Sequence, residues 1–157
     1  MSNTMQPGAA PSIELSDEIR AVVNSALSSG HPVTVAYVDQ TGTPHLSMRG
    51  TVQVYDADRL ALWNRGPDLP DSLKGNPRVA LLYADLGSRT YLRFNGRAHV
   101  ETDEVIRNQI FEGSPQREQA QDPERHGTAI IVELDLVRGI TPPGPVRMAR
   151  DNGPDPT

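Results

Sequence analysis

The chain has no cysteine. That excludes disulfides, thiolate metal sites and a cysteine nucleophile, and agrees with residence in the cytoplasm. No run approaches the roughly 18 to 20 consecutive apolar residues of a membrane span. The opening MSNTMQPGAAPS lacks the basic start and apolar core of a signal peptide. A soluble protein with no membrane partner is therefore expected. Basic surface is also scarce, with 15 Lys and Arg against 20 Asp and Glu and a net charge of −5. With no basic run either, the nucleic-acid backbone is not an expected partner. The four histidines, His31, His45, His99 and His126, do not fall at ligand spacing, so no metal is assigned.

What is present suits one domain, since 157 residues can bury a real core. Residues 1–12 are small and polar with two prolines and read as a flexible N-terminal arm. Residues 142–157 carry five of the 14 prolines and read as a flexible Pro-rich C-terminal tail. The folded domain is expected over 13–141. Ser16 as N-cap, with Ile19, Val22, Val23, Ala26 and Leu27 at helical spacing, predicts a helix ended at Gly30. Strands are predicted over 33–38, 43–55, 60–63, 79–83, 90–100 and 128–137, with short helices at 69–74 and from Thr102 to near Gly113. The run Val79 to Tyr83 shows no polar parity, which reads as burial on both faces. Gly96 inside a strand predicts a bulge or barrel corner. Six antiparallel strands favour a small closed or nearly closed barrel, because closure removes exposed edges; an open α+β sandwich is the alternative.

The most informative stretch runs from Thr43 to Pro77. His45, Ser47, Arg49, Thr51, Gln53 and Tyr55 fall on one parity of a strand and Leu46, Met48, Gly50, Val52 and Val54 on the other. After the turn at Asp56-Ala57-Asp58, Leu60 to Trp63 pairs most simply with it as a hairpin. Ser47, Arg49 and Thr51 would then project from one face beside Trp63-Asn64-Arg65. Such a surface either meets water or holds a planar cofactor bearing a phosphate. Gly50 within a strand marks a bulge or close backbone approach, and the guanidinium fork of Arg49 suits a phosphate.

The segments PHLSMRGTVQV, LALWN, LKGNPRVALLY and YLRFNGRAHVETDE, in this order and spacing, resemble the flavin-binding split-barrel family that includes the pyridoxamine 5'-phosphate oxidases, over residues 16–140. The resemblance implies a mainly β (α+β) fold, a six-stranded antiparallel split β-barrel with short flanking helices. It implies a homodimer with FMN at the interface. The phosphate and ribityl chain would be held by Ser47, Arg49, Gly50 and Thr51 on one strand and by Leu62, Trp63 and Asn64 at the end of the next, with Tyr91 near the ring. Asp68-Leu69 stands where the oxidases carry a basic loop residue, leaving Arg49, Arg65 or Lys74 to supply that charge. The oxidases' C-terminal substrate-binding region is replaced by GITPPGPVRMARDNGPDPT, which points away from vitamin B6 oxidation and toward the broader family.

The activity implied is an FMN-dependent oxidoreductase exchanging a hydride with a small organic substrate. The alternatives are an F420-dependent reductase on the same fold and a non-catalytic flavin- or haem-binding protein. Because the cofactor itself carries the hydride, no catalytic side chain is assigned. Arg93 and Arg97 either stabilise charge on a reduced ring or form solvated surface. His45 and His99 are either proton donors or exposed strand residues, and Trp63 either packs in the barrel or stacks on the ring.

Overall fold

The computed structural model describes residues 13–150. The expected arm at 1–12 and the end of the expected tail at 151–157 lie outside them. Helix α1 (Asp17–Asn24) begins where Ser16 Oγ accepts from the backbone N–H of Ile19 at 3.2 Å. It turns Ile19 and Val23 into the core. Strands β1 (Val33–Val38), β2 (Pro44–Arg49), β3 (Gln53–Val54) and β4 (Arg59–Asn64) follow, then α2 (Asp68–Leu73), β5 (Arg78–Asp85) and β6 (Thr90–Glu101). Helices α3 (Glu104–Glu112) and α4 (Gln116–Gln119) precede β7 (Thr128–Thr141) and β8 (Gly144–Ala149). Asp103, not Thr102, caps α3 by accepting from the N–H of Ile106.

All pairings are antiparallel, in the order β2-β1-β5-β6-β7-β4-β3. The long strand β7 pairs with β6 along one side; along the other it pairs with β4 through its first half and β8 through its second. The sheet curls into a split barrel. Its main core includes Val35, Leu60, Leu62, Leu81, Leu92 and Phe94. A second cluster of Ala61, Trp63, Ile110, Phe111, Ala129 and Ile131 lies on the other side of β4 and β7, under α3. Both faces of β4 are thus covered, which accounts for its unbroken apolar run.

The strand expected over 43–55 is interrupted. Its first half, β2, pairs with β1, and only Gln53–Val54 forms the hairpin with β4. Gly50 sits at the break: a Cβ there would lie 2.8 Å from Glu118 Oε1 and 2.9 Å from Leu27 Cδ2, so the side chains of Leu27, beyond α1, and of Glu118 in α4 close over this corner. Across the break the apolar parity changes sides: Val52 and Val54 enter the core, whereas Leu46 and Met48 do not. Leu46 and Met48 are 74% and 72% exposed, while His45, Ser47 and Arg49 are half-buried toward the barrel interior. Nor is β5 buried on both faces: Val79, Leu81 and Tyr83 enter the core, and Leu82 joins Leu46 and Met48 on the outside.

The described residues therefore form eight strands, two more than the sequence pattern indicates: one from the division of the central strand and one, β8, from the proline-rich tail. The prolines do not prevent β8, because Pro142 and Pro143 form the turn from β7, and Pro145 lies on an edge strand, where a missing N–H is tolerated. Val146 and Met148 pack against the main core, and Arg150 donates to Leu134 O at 2.8 Å. At Gly96 the β6–β7 register shifts by a bulge, and a Cβ would lie 2.3 Å from Glu133 O. Gly96→Ala is therefore expected to destabilise the fold by about 1–3 kcal/mol through overpacking. Urea unfolding followed by the fluorescence of the single tryptophan measures this, and unchanged stability would contradict so close an approach of the two strands.

Candidate functional site

The split between β2 and the end of β4 is a polar cleft. It is formed because β2 is an edge strand with a polar inner face: Ser47 lies opposite Val35 in register, and Arg49 opposite Val33. Arg49 Nε donates to Ser47 Oγ at 2.9 Å, and its Nη1 donates to Asn64 Oδ1 across the split. Asn64 is 1% exposed and is oriented by its own amide, which donates to Gly66 O at 2.9 Å. Thr51 is buried and fully used: its hydroxyl donates to Trp63 O at 2.6 Å and accepts from Trp63 N–H at 3.1 Å. These bonds fasten the β2–β3 link to the end of β4.

Ser47, Arg49, Gly50 and Thr51 line a cleft of about 300 Å³ with Trp63, Arg65 and Glu118. Arg65 faces Glu118 at 3.8 Å, too long for a hydrogen bond. Two guanidiniums and a hydroxyl against one carboxylate give a donor set that fits a phosphate. Lys74 is turned away, exposed and paired with Asp71 at 3.3 Å. The basic side chains lining this cleft are those of Arg49 and Arg65. Sequence reading did not single out Glu118, which comes from a polar segment with no motif.

The ring of Trp63 is packing, not a stacking surface. It meets Phe111 edge-on at 5.0 Å, carries the Arg107 guanidinium at 4.8 Å and donates from Nε1 to Asp122 Oδ2 at 2.9 Å. Leu62 likewise points into the main core. Tyr91 is 44% exposed on the outer face of β6 and outside this cleft. The structure thus brings Ser47, Arg49, Gly50 and Thr51 together, sets Asn64 behind them, and leaves Tyr91 apart.

Next to Ser47 on the inner face of β2, His45 stacks on Tyr37 with ring centroids 5.0 Å apart and bonds Asp39 Oδ2 through Nε2 at 2.7 Å. That bond, then the Thr41 hydroxyl, holds the Asp39 carboxyl well below the usual carboxylate range. A second cleft, lined by Asp39, His45, Asp68 and Asp71, opens here. His99 is instead on the outside, 3.9 Å from Glu101, and Arg97 is bound to Asp135 at 3.2 Å.

Beneath Trp63, burial works against the charge on Asp122. The indole N–H, and the backbone N–H groups of His126 at 3.0 Å and Gly127 at 2.8 Å, outweigh it and keep the carboxyl below its ordinary value. With the folded value lowered, the stabilisation is present above the ordinary value of 3.8 and is lost as pH falls through the folded one. Asp122→Ala is expected to cost roughly 2–3 kcal/mol near neutral pH, the scale of hydrogen bonds to a charged group, and less as the medium is acidified below pH 3.8. Trp63 emission during urea unfolding at several pH values checks this. A loss that does not shrink in acid would contradict the role of the ionised carboxylate.

Comparison with known proteins fits this architecture. The chain matches the family profile described as Pyridoxamine 5'-phosphate oxidase over residues 15–138. None of the curated proteins matches it. Among solved structures, HupZ of Group A Streptococcus is 14% identical with a TM-score of 0.64, covering 88% of this chain and 99% of that one. A Clostridium acetobutylicum protein related to general stress protein 26 of B. subtilis, of the pyridoxinephosphate oxidase family, is 15% identical with a TM-score of 0.62, covering 86% and 96%. An F420 reductase is 15% identical with a TM-score of 0.57, covering 78% and 98%. At these identities the structural likenesses speak for the fold. With its split barrel and the profile match across nearly all of that barrel, the chain belongs to the pyridoxamine 5'-phosphate oxidase family.

Proposed function

We propose that this protein is an FMN-dependent oxidoreductase that transfers a hydride to or from a small organic substrate, working in the cytoplasm as a homodimer. The observation that carries the reading is the convergence of Ser47, Arg49 and Arg65 on one cleft at the barrel split, against the backbone at Gly50. When bound, FMN supplies the hydride chemistry. The chain's own residues bind and orient. Arg49 and Arg65 meet the phosphate charge, and Ser47 directs the Arg49 fork. Asn64 fixes its far end, and Thr51 holds the β4 terminus against β2. Leu62 and Trp63 anchor that terminus from the core side. Glu118 gives up Arg65 to the incoming phosphate, a weak pair exchanged for a stronger one.

The dimer is supported by the outer face. Leu46, Met48 and Leu82 are exposed, and lie on neighbouring strands through Thr34 and Ala36 of β1. An apolar patch of this kind is a normal interaction surface. Tyr91, on the outer face, approaches a cofactor only across a subunit boundary, which agrees with the same arrangement. The solved F420 reductase of like fold supports a second reading, with F420 in the same cleft.

Denaturing the purified protein and weighing the released cofactor separates FMN, F420 and no cofactor. Arg49→Ala should weaken FMN binding by about 1.5–3 kcal/mol, the scale of a charge-assisted hydrogen bond; a flavin fluorescence titration showing wild-type affinity would remove the phosphate assignment. Leu46→Asp, on the opposite face of β2 and outside the lining of the cleft, is expected to shift sedimentation from dimer to monomer at micromolar concentration, and an unchanged dimer would move the interface elsewhere.

A further inference from the structure

Helix α4 has no buried residue, and the segment that carries it is fastened on either side of it. Before α4, the Ser114 hydroxyl donates to Ile110 O at 3.1 Å, and Gln119 Nε2 folds back to donate to Ser114 O at 2.8 Å. After it, Asp122 accepts from the Trp63 indole at 2.9 Å, and Arg107 Nη2 donates to Gly127 O at 2.9 Å. Between these clasps Glu118 is the one α4 side chain, among the described residues, with a polar contact to the barrel: its pair with Arg65 at 3.8 Å. A segment that buries so little opens locally at low free-energy cost, and here one weak ion pair holds its middle down.

The Glu118 carboxylate is poorly served where it lies. Its side chain is only 19% exposed, yet it accepts no hydrogen bond from another described residue. A carboxylate drawn out of water by burial recovers its hydration when it is released, unless close partners hold it, and Arg65 is not close. The carboxylate also stands inside the cleft lined by Ser47, Arg49 and Arg65, with Oε1 2.8 Å from where a Gly50 Cβ would be. Carboxylate and phosphate compete for the same face of a guanidinium. Glu118 is the only partner of Arg65 among the described residues, so an anion that takes Arg65 must displace it.

We infer that Glu118 is an internal anion occupying the place of a ligand's phosphate, and that α4 is the strap that carries it, so that a phosphate arriving at Arg65 expels the carboxylate and lifts α4 from the barrel. This rests on the phosphate reading of the cleft and adds its regulation: the vacant cleft is closed by the chain's own charge, and occupancy is displayed on the surface as a loosened α4. The clasps at Ser114 and Asp122 stay in place, which confines the opening to the residues between them.

Two measurements on the full chain test it. In flavin fluorescence titrations at low salt, where charge pairs are least screened, Glu118→Gln should bind FMN three- to tenfold more tightly than the unaltered protein. Riboflavin, which lacks the phosphate, should bind both alike, and Glu112→Gln, outside the cleft, should change neither ligand. Hydrogen exchange followed by mass spectrometry needs no variant: saturating FMN should speed exchange across residues 116–121 at least fivefold in the unaltered protein. In Glu118→Gln that segment should exchange fast with or without FMN. If the unaltered protein prefers FMN to riboflavin but Glu118→Gln binds FMN no more tightly, the internal anion is wrong and the phosphate reading stands. Exchange across 116–121 that FMN slows or leaves unchanged overturns the strap. If FMN and riboflavin bind both proteins alike, or neither ligand binds, the phosphate reading fails and takes this inference with it.

Discussion

The pairing of β7 is the constraint on which the rest of this molecule depends. Its 14 residues hydrogen-bond to β6 on one side and to β4 and then β8 on the other. The bulge at Gly96 sets where the side chains of β6 and β7 change faces. Ahead of it, Ile130 and Val132 fill the barrel while Ala129 and Ile131 pack under α3. Beyond it, Leu136 and Arg138 share the outer face with Asn95 and Arg93. Because β4 is held in this register, its last residues, Trp63 and Asn64, arrive beside the edge strand β2, and the split becomes a cleft with donors on both walls.

Electrostatics then distinguish the two sides of the sheet. On the inner side the polar groups are engaged with one another: Arg49 is tied to Ser47 and Asn64, Arg65 faces Glu118, and His45 is bonded to Asp39. That cleft is pre-organised, its groups already oriented before any ligand arrives, so less order has to be imposed on binding. On the outer side Arg93 of β6, Arg138 of β7 and Arg147 of β8 stand opposite one another in register. The order of the β-strands, more than any single motif, produces this division.

Much of the fold could be read from the chain. Ser16 and the apolar spacing of Ile19 and Val23 gave α1, the glycine inside 90–100 gave the bulge, and the turn residues separated the strands. The errors have identifiable causes. Alternation along 43–55 shows that two faces exist, but not which one meets water; β2 is an edge strand whose polar side faces the split, so Leu46 and Met48 are left outside. Proline content argued against β8, yet prolines in a turn and on an edge remove no ladder bond. Within the cleft, Ser47, Arg49 and Thr51 stood out because they share one parity of the sequence, although β2 ends at Arg49 and Thr51 lies in the link to β3. Glu118 was not, since a carboxylate on a four-residue helix reaches the cleft only through tertiary packing at Gly50. The neighbourhood of Arg93, Arg138 and Arg147 was not legible for a like reason: they are far apart in sequence and meet only through strand register.

The central claim is that the cleft between β2 and β4 recognises a flavin by its phosphate. Comparing the affinities of FMN and riboflavin by quenching of flavin fluorescence at moderate ionic strength tests it most directly. If Arg49, Arg65 and Ser47 hold the phosphate, FMN binds at least tenfold more tightly than riboflavin. Equal affinities, or no binding of either, would contradict the account.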